Sequence, residues 1–224
     1  MQPRAHYRYE LDEVRRALAQ LADAVEEMLA RALRAFRDTN TGAAHDTHRA
    51  DDDIDDRRYA LEERVIGIIA AQQPLASDLR FLMAAVQVAT ELERIGDYAD
   101  GIATLVLRHA DTPAEPPPTL WTLVDVVRRM LQQSVAAFLA REAHAAEQLE
   151  QADDEADALF AVLLAHTQAA LVVDRVHGRG ALYVLFVAHN LERIADRAVN
   201  IAERATFVAT GALQVSRITQ TEHY

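Results

Sequence analysis

The chain has 224 residues, a net charge of −12 and no Cys. That balance argues against nucleic-acid binding through a broad basic surface, and it excludes disulfides and thiolate metal sites. All 23 basic residues are Arg, which excludes a Lys-dependent phosphate loop or a Schiff base, while 7 Gly and 6 Pro are too few for a turn-rich β fold.

The first predicted helix runs from Tyr9 to about Asn40, with Leu11, Val14, Leu18, Leu21, Val25, Met28 and Ala32 at alternating steps of three and four. Such a seam belongs to a long helix packed at a shallow angle against others. Asn40, Thr41 and Gly42 end it. A second helix starts between Ala43 and His48, turns Ile54, Leu61, Val65, Ile68 and Ile69 inward, and breaks before Pro74. It opens on Asp51-Asp52-Asp53-Ile54-Asp55-Asp56, five carboxylates in six positions, more than the helix dipole asks for.

A third helix opens at Ala76 or Ser77 and reaches about His109, with Leu79, Leu82, Met83, Val86, Leu92, Ile95, Ile102 and Val106 inward. Gly96 and Gly101 inside it each cost about 1 kcal/mol relative to Ala, so a close neighbour or a bound group is expected beside them. Residues 111–118 hold Pro113, Pro116, Pro117 and Pro118 and read as a stiff linker. Thr119 is placed to cap a fourth helix, a fifth runs from about Ala143 to Val173, and Asp174 to Gly180 reads as a turn. The sixth spans Ala181 to Gly211, followed by a polar tail over 212–224. No alternating strand pattern occurs, no uncharged run of about 18 apolar residues suggests a membrane span, and no apolar stretch follows Met1. The expectation is an intracellular, all-α chain of two tandem antiparallel three-helix bundles, over 9–110 and 119–211.

The halves are related. Leu92-Glu93-Arg94-Ile95-Gly96-Asp97 returns 99 residues later as Leu191-Glu192-Arg193-Ile194-Ala195-Asp196, and Asp51 to Asp55 returns 102 residues later as Asp153 to Asp157. Each half thus has an acid pair four apart on its middle helix and another on its last helix. Four apart is one helical turn, so each pair shares a face. One such pair is ordinarily a solvated surface. Four matched pairs call for positive charge, either Arg94 and Arg193 at the rim or a hard, oxygen-preferring cation. A di-iron oxidase wants Glu-x-x-His, and no Glu stands three before His45, His48, His109, His144, His166, His177 or His189. His45 and His48 read as polar helix-entrance residues, Trp121 and Phe138 as packing, and no catalytic residue can be assigned by spacing.

The run Gln73-Pro74-Leu75-Ala76-Ser77-Asp78-Leu79-Arg80, with Glu91 to Asp97, Asp153 to Asp157 and Leu191 to Glu203, resembles the PhoU family over roughly Glu10 to Gly211. The resemblance implies two similar three-helix bundles. It also implies a cytoplasmic, non-enzymatic accessory regulator that sits between a phosphate ABC transporter and a phosphate-sensing histidine kinase. Such a regulator represses signalling when phosphate is plentiful, acts as a homodimer and meets the membrane only through its partners. Iron or zinc, in multinuclear sites, is the implied metal. Carried over by position, its ligands are Asp51 with Asp55, Glu93 with Asp97, Asp153 with Asp157, and Glu192 with Asp196. Asn200 is a further implied ligand, one turn beyond the second acid, and its counterpart in the first half is Gly101, beside Asp100. The first site is therefore expected to be the weaker one. Other readings are a paralogue acting on a different transporter and a carboxylate-metal enzyme.

Overall fold

The computed structural model describes residues 3–173 and 175–212, and it contains six helices and no strand among them. They are α1 (Pro3–Asp38), α2 (Thr41–Gln72), α3 (Ala76–Arg108), α4 (Pro118–Ala140), α5 (Ala145–Val173) and α6 (Arg175–Thr210). The tail over 213–224 lies outside the described residues. In each half the three helices all pack on one another, and the halves meet mainly where α3 lies against α6.

Local chemistry sets the boundaries. Asn40 accepts a hydrogen bond from the Ala43 N–H at 3.0 Å and so caps α2 rather than ending α1. Gln73 takes a left-handed conformation at φ 47° and its N–H returns to the Ile69 carbonyl, after which Pro74 forbids another turn. The expected Thr119 cap is not used. Pro117 stands at the N-cap and Pro118 occupies the first helical position, where its fixed φ suits the helix and its missing N–H costs nothing.

The expected turn from Asp174 to Gly180 is corrected as well. Gly178 and Gly180 lie inside α6, which begins at Arg175. Both glycines serve close packing. A Cβ on Gly180 would overlap the Pro113 carbonyl oxygen of the linker, and one on Gly178 would stand 2.9 Å from Leu171 Cδ2. Glycine acts here not as a helix breaker but as a small residue that close neighbours require.

The α1 seam is buried as expected, from Leu11 through Ala32. Met83 is not: it is half exposed, on the one strip of α3 that remains open, with Gln87, Arg94 and Asp97. This helix is covered by α1, α2 and α6, so Phe81, Leu82, Ala84, Ala85 and Val88 are all buried and the apolar stripe is far wider than one seam. Periodicity alone gave Met83 to the wrong side.

The buried side chains of both halves form one continuous core. Phe81 of α3 stacks on Phe138 of α4 with centroids 5.8 Å apart, and Phe36 of α1 meets Tyr183 of α6 edge-on at 5.2 Å. Each such pair adds about 0.5–1.5 kcal/mol beyond its area burial. Trp121 lies 6.1 Å from Phe36, so the aromatics do pack between the halves.

The α3–α6 contact is antiparallel and nearly symmetric. Asn190 Oδ1 presses on Gly101, where a Cβ would sit 2.7 Å away. At the repeat-related position, Asn200 of α6 donates to Glu91 of α3 at 3.2 Å, and Arg197 reaches the same carboxylate at 3.2 Å. Gly101 is small because a neighbouring helix comes close. Gly96 has more room: a Cβ there would rest 3.4 Å from Ile54 Cγ2.

Candidate metal-binding sites

Each half brings its two acid pairs together across neighbouring helices. In the second half α5 supplies Asp153 and Asp157, and α6 supplies Glu192 and Asp196. Asp153 is only 6% exposed, and its side chain makes no hydrogen bond or ion pair among the described residues. Burial, then the charges of Asp157, Asp196, Asp154 and Glu192, push its carboxyl up to about 6. Asp157 is raised by burial and by Asp196, and Asp196 is raised by burial and by Glu192. A carboxylate removed from water and surrounded by its own kind is short of positive charge.

Arg193 offsets part of this at the rim. It grips Glu192 through Nε at 2.8 Å and Nη2 at 2.9 Å, and its Nη1 reaches Asp196 at 3.1 Å. His189 Nδ1 adds a contact to Glu192 at 3.4 Å. Among the described residues Arg193 pairs with Glu192 and Asp196 but not with Asp153, and its charge lowers the Asp157 carboxyl only in part.

The first half is similar but not identical. From α2 come Asp51 and Asp55, and from α3 come Glu93 and Asp97. Burial, then Asp100, Asp97 and Asp55, push the Asp51 carboxyl up to about 6. Asp97 is raised by burial, Asp55 and Asp100, and Glu93 by burial and Asp97. The rim cation differs: Arg94 turns to Glu91 at 3.8 Å, and Arg58 of α2 approaches Glu93 at 3.9 Å.

Two residues outside the expected ligand set enter this cluster. Asp100 acts on both Asp51 and Asp97, and His48 Nδ1 lies 3.0 Å from Asp100 Oδ1. The hydrogen bond to Asp100 raises the His48 imidazole above its ordinary value. The sequence held a signal for both, since His48 and Asp100 each lie three residues from an acid of the cluster, on its helical face. Asn200 shows the converse. Its side-chain amide is engaged across the α3–α6 contact, on Glu91.

Among the described residues, no three Asp, Glu or His groups already close on a common point as a finished cation site. The acids line two patches instead. The donors nevertheless suit a hard or borderline cation: oxygens, one imidazole beside them, and a buried carboxylate without a partner.

With this geometry in place, kinship can be read. The PhoU domain family model matches twice, over residues 18–106 and 120–205, which are the two bundles. The chain belongs to the PhoU family. It is 38% identical over 159 residues to the phosphate-specific transport system accessory protein PhoU homolog 1 of Methanothermobacter thermautotrophicus, covering 70% of this chain and 73% of that one. It is 30% identical to the PhoU homolog of Rhizobium meliloti, over 91% of this chain and 86% of the other. The crystal structure of the phosphate transport system regulatory protein PhoU from Streptococcus pneumoniae superimposes with a TM-score of 0.85 at 27% identity, covering 93% of this chain and 99% of that one. The PhoU fold here is thus all-α and built from two repeated helical bundles.

Proposed function

We propose that this PhoU protein is a cytoplasmic, non-enzymatic accessory regulator of phosphate-specific transport. It works as a homodimer and passes the phosphate state between the ATPase side of a phosphate ABC transporter and a phosphate-sensing histidine kinase, which it holds in the repressing state when phosphate is plentiful. The observation that carries this reading is membership of the PhoU family across both bundles, in a chain that matches relatives named as phosphate transport accessory proteins over most of their length. Its membrane contact runs through those partners.

Within this reading the acid patches are iron or zinc sites. Asp51, Asp55, Glu93 and Asp97 would hold metal in the first bundle, and Asp153, Asp157, Glu192 and Asp196 in the second. A bound cation supplies the positive charge that these carboxylates lack. The chain's own part is to present them on rigid helices and to keep rim arginines beside Glu192 and Glu93. Asn200 stands next to the second patch in sequence, and its amide keeps α6 on α3.

Two experiments test the proposal. Deleting the gene should make phosphate-regulated expression constitutive in rich phosphate; normal repression in the deletion strain counts against the regulatory role and favours action on another transporter. Purified protein should carry iron or zinc that falls to background when Glu93, Asp97, Glu192 and Asp196 are all changed to Ala. Unchanged metal content in that variant would remove the ligand assignment.

A further inference from the structure

Helix α5 carries no Asp, Glu, Lys or Arg from Ala158 to Val173. By length and composition it is apolar enough to cross a membrane, yet only 17% of its most apolar stretch is buried within the protein. Leu163 and Thr167 face inward, while Val162, Leu171 and Val172 are 54%, 50% and 88% exposed. The outward residues Ala158, Val162, Ala165, Ala169 and Val172 follow steps of four and three, so α5 has a second seam, on its solvent side.

The repeat supplies an internal comparison. Helix α2 holds the same outer place in the first bundle, and 102 residues earlier its matching seam is Asp56, Ala60, Glu63, Gly67 and Ala70, all exposed. Where α2 has Asp56 and Glu63, α5 has Ala158 and Ala165. One of two equivalent surface helices has thus given up its charge along its outward seam.

We propose that this outward face of α5 is the interface through which two copies of the chain pair, antiparallel about Ala165. The inference rests on the homodimer of the proposed function and gives it a surface. Three arguments select a second copy as the occupant. First, the seam is self-complementary when antiparallel: Val172 falls opposite Ala158 and Val162 opposite Ala169, large against small, about a close Ala165–Ala165 contact at the centre. Second, two copies that each carry −12 repel across acidic surfaces, and this face brings no charge to the contact. Third, the uncharged run is about 24 Å long. A face of that size hides on the order of 600 Å² per copy, the lower range for a specific dimer. Beside it, Ala169 and Val173 form one wall of a groove of about 470 Å³ whose other wall is Pro113 and Pro117.

The test is light scattering after size exclusion over a range of concentrations. The wild-type chain is expected to be a dimer at micromolar concentration. The double variant Ala158→Asp with Ala165→Glu, which copies the pattern of α2, should weaken dimerisation roughly 100-fold or more through facing like charges. Both changes lie on an exposed face, so the circular dichroism and the melt of the monomer should stay as in wild type. Because the chain has no Cys, Ala165→Cys gives a clean second readout. Oxidation of the two thiols by diamide should link Ala165→Cys copies covalently, while Glu63→Cys on α2 stays unlinked. A wild-type dimer that the double variant leaves at full strength, without linkage at Ala165→Cys, overturns this interface and leaves the homodimer standing. A chain that is monomeric at high micromolar concentration and sediments with phosphatidylcholine vesicles overturns both, and assigns the face to a lipid surface. Neither result touches the regulatory reading, which the deletion strain decides.

Discussion

Asp153→Asn is expected to stabilise the metal-free protein at pH 7.5 and to leave it nearly unchanged at pH 4. Asp153 is buried among carboxylates and its own carboxyl is pushed up to about 6, from 3.8. The native chain therefore binds a proton there more tightly than the unfolded chain. The sign follows from linkage: between about pH 4 and 6 the native state holds more protons, so stability falls as pH rises through that window. Above about pH 6 the full cost of the buried charge is present, on the order of 2–3 kcal/mol. Asparagine has nearly the shape of the protonated acid and no charge to desolvate. A melt series from pH 4 to 8 should show the wild-type melting temperature falling as pH rises, with the variant nearly flat over the part that Asp153 contributes. A variant that melts at or below wild type at pH 7.5 would contradict the picture of an uncompensated buried charge. In the same protein, iron or zinc should raise the wild-type melting temperature and do less for Asp153→Asn, because an amide is a poorer partner for a cation. Asp51, also pushed up to about 6, should contribute in the same direction from the first bundle.

The second large effect concerns the join between the halves. Phe138→Ala should cost about 3–5 kcal/mol, the range for emptying a fully buried aromatic site. Phe138 stacks on Phe81 in the opposite half, and Phe81 is in turn covered by Arg15 at 5.0 Å and Arg141 at 4.7 Å from its ring centre. Since the core runs without a break from α1 to α6, loss of this contact should lower one shared transition. Calorimetry with a single peak for both wild type and variant is the expected result. Two separated peaks, of which only the second moves, would mean that the bundles unfold as independent units and that the shared core contributes little.

Helix existence and type were readable because the signal was dense. The α1 seam repeats over seven inward positions, and each is buried. Boundaries were less readable. Thr119 has the chemistry of a cap, yet Pro117 and Pro118 take over because a proline ring is already set for a first turn. The α5–α6 connection is not legible in the sequence because glycine has two uses. At Gly178 and Gly180 the tight approach of Leu171 and Pro113, and no turn, requires the missing side chain. Met83 shows the same limit, since a helix covered on three sides has no single apolar face to count.

The repeat, the four acid pairs and the PhoU motifs are all in the sequence, and they determine the family, the helical class and the residues around which a site must be built. A spacing of four places two carboxylates on one face of a helix, and that much is local geometry. Which helices face one another is not local. Only the tertiary structure decided that Asp100 and His48 join the first patch, that Asn200 reaches across to Glu91, and that Arg193 guards one site while Arg58 and Arg94 stand differently at the other. The acid pairs were visible one helix at a time. The burial of Asp153 among them, and with it the charge deficit that makes it informative, exists only once α5 and α6 close against each other.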